Sequence, residues 1–380
     1  MQKKKICLFT AHSPIVGGGG AILRSLVANL REFEINWYYI GNATAAGYEK
    51  GYLGNAVMGG PLLADITQTA RMLGMGDVPR VDAIVKKLLS IECDVYWVVS
   101  HNEGLRIAQD LADHNKTVHL TVHDDWAGAL CARSVRYRFM VASARQLTIK
   151  VLQSVKTVDV ISAGMQYYYF KLSGCKAAVC HRYLPVNSIE VVKKNPLSKT
   201  IIVGHIGSIY ASKHLFEFLE LLQEYCHKKG KDFVLQLWGC HLQCKDVPQR
   251  FRNNIQLHAT LPEQEIVPLL AKCDFVYSMY PLNKGLHLFS KTSLPTKLSS
   301  YLQSGRPIFG HGPADSTLAG FLSNTGLGGI WSSNNKQEGL KLLDSITGLN
   351  ITKDTLEDAR QKYFGETNLA VMRKALGANE

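Results

Sequence analysis

Two stretches of this chain share one plan, and that plan restricts the fold more than any other feature. Ile6-Cys7-Leu8-Phe9-Thr10 is a short apolar run without helical period, the pattern of a buried strand. It leads through Gly17-Gly18-Gly19-Gly20 into a segment where Ile22, Leu23, Leu26, Val27 and Leu30 recur at helical spacing. The second stretch begins with Thr200-Ile201-Ile202-Val203-Gly204-His205-Ile206-Gly207-Ser208. It passes a polar loop holding Ser212 and Lys213 and enters a helix predicted from Leu215 to Lys228. Strand, glycine, loop, helix opens an α/β unit, and it aims the unpaired N–H groups of a helix start at whatever binds there.

Further apolar runs follow in the same rhythm. Trp37–Gly41, Asp94–Ser100, Thr117–Val122 and Val158–Ser162 are predicted strands of the first half. Phe233–Gly239, Ile255–Ala259, Asp274–Met279 and Ile308–Gly310 are their counterparts in the second, and Gly326–Ile330 reads as a further strand or a turn. Gly47 to Gly60 reads as a loop, and Thr355 to Leu376 as a terminal helix. A chain of 380 residues exceeds one ordinary core, so two domains are expected, with the polar, proline-punctuated Asn187–Lys199 as the linker.

Composition sets the class. Hydrophobic residues make up 46% and charged residues 19%, enough apolar material for buried cores. Met1-Gln2-Lys3-Lys4-Lys5 is basic, but the apolar run behind it stops at His12 and Pro14, so no secretory signal is read. No stretch stays apolar long enough to span a bilayer, and the expectation is a soluble, cytoplasmic protein. The nine cysteines lack Cys-x-x-Cys pairing, so neither a structural zinc site nor a redox motif is expected. A formal net charge of +12 calls for an anionic partner: nucleic acid, a phosphorylated ligand or an acidic membrane face. Arg133, Arg136, Arg138, Arg145, Lys150 and Lys156 lie among Phe139, Met140, Leu147 and Leu152, which suits either an anionic membrane surface or a solvated helix face.

Three places carry candidate chemistry. His123-Asp124-Asp125 follows a predicted strand, at the carboxyl edge where open parallel sheets gather ligands. Gly18, Gly19 and Gly20 let backbone approach a ligand, although neither the dinucleotide fingerprint nor the P-loop spacing is met. In Thr292 to Ile308, Ser293 and Pro295 are read as a helix start, Leu298, Tyr301 and Leu302 as its apolar stripe, and Gly305 as its stop. The clustering of Ser293, Thr296 and Lys297 at that start suits a phosphate.

The order of these motifs resembles the GT-B glycosyltransferases, in particular the nucleotide-sugar-dependent family 4. The likeness runs through Gly17–Gly20, His123-Asp124, Asp159-Val160-Ile161-Ser162 with Met165 and Tyr168, Gly207-Ser208 with Lys213, and Ser293-x-Pro295-x-Lys297 running into Tyr301-Leu302 and Gly305-Arg306-Pro307. It implies two Rossmann-like domains with a cleft between them: an acceptor domain over residues 1–190, a donor domain over 200–354, and a helix in 355–380 returning to the first. Lys213 and Lys297 would neutralise the donor diphosphate, with Gly207, Ser208, Ser293, Leu294, Thr296 and Ser300 completing the donor site. His123 would face the transferred sugar, and Gly18, Gly19 and Gly20 would line the acceptor side. Members usually carry two glutamates; here their positions hold Thr292 and Ser300.

The expectation is therefore a hexosyltransferase acting on a nucleoside-diphosphate sugar and a saccharide or lipid-linked acceptor in surface polysaccharide assembly, with retention of configuration. No metal, no other cofactor and no nucleic acid is expected, and peripheral contact with an anionic inner membrane face is. The alternative is a catalytically weakened GT-B protein that binds a nucleotide sugar or a partner transferase.

Overall fold

The computed structural model describes residues 3–15, 17–58, 60–186, 198–333 and 335–378. The chain divides into two compact units, Met1–Tyr183 with Glu366–Glu380, and Leu184–Gly365. The strands of unit 1 are β1 (Lys4–Thr10), β2 (Phe33–Ile40), β3 (Tyr52–Gly54), β4 (Val95–Val99), β5 (Val118–Val122), β6 (Thr157–Val160) and β7 (Ala178–Val179). They form a parallel sheet in the order β3-β2-β1-β4-β5-β6-β7. Unit 2 has β8 (Thr200–Ile206), β9 (Asp232–Trp238), β10 (Ile255–His258), β11 (Phe275–Met279), β12 (Ile308–His311) and β13 (Gly328–Trp331). Their order, β10-β9-β8-β11-β12-β13, is again wholly parallel.

Both sheets reverse direction beside their first strand, between β1 and β4 and between β8 and β11. In doubly wound sheets, crossover helices leave such a switch point from opposite faces and open a crevice beyond the carboxyl ends of the strands. The apolar runs explain the burial. Every residue of β4, β5 and β11 is buried, as parallel strands covered on both faces require. In unit 2 the core centres on Phe218 stacked on Tyr277 at 4.2 Å, with Leu235, Leu237 and Phe309 around them.

Several local expectations change. The glycines at 17–20 do not form a free loop; they are the first turn of the helix Gly17–Asn29. Gly47–Gly60 contains β3, and two helices, Leu62–Met72 and Pro79–Leu89, follow where no element was read. The basic stretch is three pieces: a helix Trp126–Arg133, a 3-10 segment Val135–Met140 and a helix Val141–Ser154. The terminal helix is two helices, Lys353–Phe364 in unit 2 and Glu366–Leu376 in unit 1. They part at Gly365, where an added Cβ would lie 2.5 Å from the Gln361 carbonyl oxygen. Leu184 N–H donates to the Phe364 carbonyl at 2.8 Å within unit 2, whereas Tyr183 Oη donates to Glu366 at 2.8 Å within unit 1. The units therefore meet in sequence at 183/184, and of the predicted linker residues 187–197 lie outside the described residues. Among the described residues no helix is long and apolar enough to cross a membrane.

Candidate functional site

In unit 2 the switch point is occupied by Lys297. Its ammonium group donates to the Ser208 carbonyl at 3.3 Å, lies 3.4 Å from His205 Nε2, and sits 5.7 Å from the centre of the Tyr210 ring. His205, on β8, has its Nδ1 2.9 Å from the Tyr277 carbonyl of β11, and Tyr301 Oη donates to that same carbonyl at 2.9 Å. Gly207, at φ 75°, turns the chain out of β8 and sets the Ser208 carbonyl toward the lysine. Burial lowers Lys297 to about 7 and His205 to about 3, and the Lys297 charge lowers His205 further. A cation held in this way is poorly solvated until an anion joins it.

The local start of this site is not the one read from sequence. Ser293 ends the preceding helix His287–Thr292, its N–H donating to Phe289 at 2.9 Å, and its carbonyl accepts Tyr280 Oη at 2.7 Å and the Thr317 hydroxyl. The next helix is Leu298–Ser304, with Lys297 at its N-cap in helical geometry and without a side-chain cap. Pro295 explains the delay: its carbonyl accepts Leu298 N–H in a turn at 3.0 Å before the helix begins. Leu294 is buried, and Thr296 is exposed with its carbonyl accepting Ser299 Oγ at 2.9 Å. Gly305, at φ 64°, closes the helix where predicted.

Lys213 lies in the first turn of the helix Ser212–Lys229, one position inside its start, where the helix dipole disfavours a cation. It pairs with Glu217 at 3.8 Å, and its side chain is 85% exposed. It lines a groove of about 620 Å³ with Tyr210, His214, Glu217, Asn283 and Ser332. Tyr210 joins the two lysines: one side of it faces this groove and its ring takes the Lys297 ammonium.

Ser300 brings a residue that sequence reading missed. Its hydroxyl donates to Glu263 Oε1 at 2.9 Å, so a carboxylate stands beside position 300 although none is encoded there. Glu263 opens the helix Glu263–Leu270 at the carboxyl edge of β10, and that helix packs on Leu298–Ser304. The available signal was Pro262-Glu263 after a strand, a helix start, but its partner lies in a distant segment. Position 292 is different: the Thr292 hydroxyl donates to the Leu288 carbonyl of its own helix at 2.8 Å.

Unit 1 has its own cluster at the switch point. Thr10 Oγ1 donates to the His12 carbonyl at 2.7 Å just beyond β1, and the His12 ring meets His101, beyond β4, edge-on at 5.7 Å. His123, beyond β5, completes the set. A Cβ on Gly19 would lie 3.0 Å from His123 Nδ1 and 3.8 Å from His12 Nε2, so the bare helix turn packs on both rings. Gly20 approaches the Pro14 carbonyl, where a Cβ would be at 2.7 Å, and Gly18 precedes both in the same turn. Burial lowers His123 to about 4, with Asp159 opposing and His12 assisting, so the ring is neutral at neutral pH.

The carboxylates next to His123 in sequence do not tune it. Asp125 caps the helix Trp126–Arg133 through Gly128 N–H at 2.8 Å and accepts Tyr169 Oη at 3.1 Å. Asp159 lies inside the sheet, 2.9 Å from His119 Nε2 and bonded to Thr121. Ser162 caps the helix Ala163–Ser173, accepting Met165 N–H at 3.0 Å. These motif residues hold the scaffold. Among the described residues, no three His, Cys, Asp or Glu side chains gather as a metal-binding group.

No protein-family model matches the chain, and no curated protein matches it. Solved structures do. HepE of Anabaena, in complex with UDP, superposes with a TM-score of 0.66 at 13% identity over 99% of this chain and 100% of that one. The lipopolysaccharide outer core galactosyltransferase WaaB, in its apo form, gives 0.65 at 12% identity, covering 98% of this chain and 99% of that one. Sucrose-phosphate synthase from Thermosynechococcus elongatus gives 0.66 at 11% identity over 98% of each. The fold is GT-B. The seven- and six-stranded parallel sheets are its two Rossmann-like units, as the motif order implied. At this identity the likeness fixes the GT-B architecture, and chemistry has to be argued from the residues.

Proposed function

We propose that this GT-B protein is a glycosyltransferase that moves a hexose from a nucleoside-diphosphate sugar to a saccharide or lipid-linked acceptor in surface polysaccharide assembly. The observation that carries the reading is Lys297, buried at the switch point of unit 2 with its pKa lowered to about 7. A cation desolvated at a ligand-binding crevice is stabilised by an anion, and a departing nucleoside diphosphate is such an anion. In the transfer, the bond from the anomeric carbon to the diphosphate oxygen breaks. A bond to the acceptor oxygen forms, and the acceptor proton passes to the departing diphosphate oxygen.

Charge therefore grows on the diphosphate. Lys297 and the exposed Lys213 are the fixed cations assigned to it, with Gly207 and Ser208 giving the backbone turn beside them. The Glu263–Ser300 pair is assigned to hydroxyls of the donor, since a carboxylate accepts strong hydrogen bonds from them. In unit 1, Gly18–Gly20 are assigned to acceptor binding. His123, kept neutral, is assigned to positioning a sugar hydroxyl, which it meets as a donor or an acceptor. The lysines supply the charge that a metal provides elsewhere, so a metal-independent reaction is proposed, and retention of configuration belongs to the same reading. The UDP complex of HepE supports a nucleotide donor.

The second reading, a binding protein without turnover, is favoured by one observation: the Thr292 hydroxyl is tied to its own helix, where a carboxylate was expected. Purified protein assayed with UDP-, GDP- and ADP-sugars separates the two. Release of nucleoside diphosphate from at least one donor is expected. Measurable binding without release from any donor would establish the second reading, and no binding at all would remove both.

A further inference from the structure

We propose that unit 1 docks on an anionic lipid surface through two adjacent segments, the start of the helix Leu62–Met72 and the 3-10 segment Val135–Met140. The two are clamped by a buried bond from the Tyr137 hydroxyl to the Asp65 carboxylate. On one side of the clamp stand Leu62 and Leu63; on the other, Val135 and Phe139 flank Tyr137. Leu63 is 74% exposed, Val135 65% and Phe139 63%, among the largest exposures of apolar side chains in the described residues. Large apolar side chains left in water in one neighbourhood mark a surface that is covered in use.

Charge decides what covers it. Residues 60–80 and 134–145 carry five exposed arginines, Arg71, Arg80, Arg136, Arg138 and Arg145, against one exposed acid, Asp77. Arg136 and Arg138 alternate along the chain with Val135, Tyr137 and Phe139, so the apolar tips of this segment have guanidinium groups as their sequence neighbours. The one-sided positive charge calls for an anionic surface, and apolar tips with arginine beside them are what an anionic bilayer interface takes. There the tips enter the acyl boundary and the guanidinium groups stay with the headgroup phosphates. This sets membrane contact on different residues from the basic region Arg133 to Lys156, which the sequence suits to either an anionic membrane surface or a solvated helix face. Lys150 and Lys156 lie on and beyond the separate helix Val141–Ser154.

The test is sedimentation of the full chain with vesicles of phosphatidylcholine alone or with roughly one-third phosphatidylglycerol, at low and high salt. Wild type is expected to partition about tenfold more strongly onto the anionic vesicles, and the double variant Leu63→Glu, Phe139→Glu to lose about tenfold of that partition. Arg136→Ser with Arg138→Ser is expected to lose the salt-sensitive part. Circular dichroism melts check folding, and Leu63→Ser with Phe139→Ser replaces the glutamate pair should that pair unfold. Wild type that ignores anionic vesicles overturns the proposal. So does an apolar variant that binds like wild type, which would mean charge adsorption only. A variant that changes self-association while vesicle binding stays absent would assign the patch to a second copy of the chain. No nucleotide is present in the assay, so its failure leaves the donor reading untouched.

Discussion

Nζ of Lys297 stands 3.4 Å from Nε2 of His205, whose Nδ1 is 2.9 Å from the Tyr277 carbonyl. A carbonyl only accepts, so Nδ1 carries the proton and Nε2 offers its lone pair to the ammonium. The histidine, lowered to about 3, stays neutral and gives the lysine one weak partner. Diphosphate binding should favour the charged lysine and raise its pKa. Affinity for UDP should then fall as pH rises above about 7, approaching tenfold per pH unit, with proton uptake in calorimetry. A wild-type pH profile that matches that of Lys297→Met would remove Lys297 from the anion site.

The same shift acts on stability with the opposite sign. Folded Lys297 titrates at about 7 and the unfolded group at 10.5, so between these values the unfolded chain holds the extra proton and stability rises with pH. Lys297→Met should be more thermostable than wild type near neutral pH. Its advantage should shrink as pH is raised toward 10. Melting temperatures of the pair across that range check it, and an advantage independent of pH would contradict the buried-cation account.

Lys213→Ala should leave stability within about 0.5 kcal/mol, because an exposed pair at 3.8 Å contributes little. Turnover, by contrast, should fall about a hundredfold, the scale of losing one group that stabilises developing charge. Turnover near wild type would return Lys213 to an ordinary surface role.

Glu263→Gln keeps the shape of the side chain and removes the charge that Ser300 now meets at 2.9 Å. The expected loss is about tenfold in affinity for UDP, with a smaller loss for 2′-deoxy-UDP. Equal losses for the two nucleotides would place Glu263 away from the ribose.

Gly19→Ala adds a methyl group 3.0 Å from His123 Nδ1 and should displace the ring, costing about 1 kcal/mol of stability and slowing transfer. His123→Ala should keep donor affinity and lose transfer. Unchanged transfer in His123→Ala would make the histidine a packing residue.

What the sequence determined by itself was whatever depends on neighbours along the chain. Short apolar runs without period, followed by glycine and a helical segment, specify buried parallel strands and crossover helices, and the order of the motifs set on them resembles the GT-B glycosyltransferases. Position-bound features were legible too: Gly207 turning out of β8, Gly305 closing a helix, and His123 at a strand end. The tertiary structure decided what depends on residues far apart. Only the packed sheets bring Lys297 to His205 and Ser208, Glu263 to Ser300, and His12 and His101 to His123, because strands adjacent in space are separated by whole crossovers in sequence. Packing also overruled local signals. Ser293 and Pro295 look like a helix start, yet Ser293 ends the helix before, and Asp125 looks like a partner of His123 but caps a helix. A buried charge such as Lys297 owes its pKa to the water that folding removes, and no spacing in the sequence records that removal.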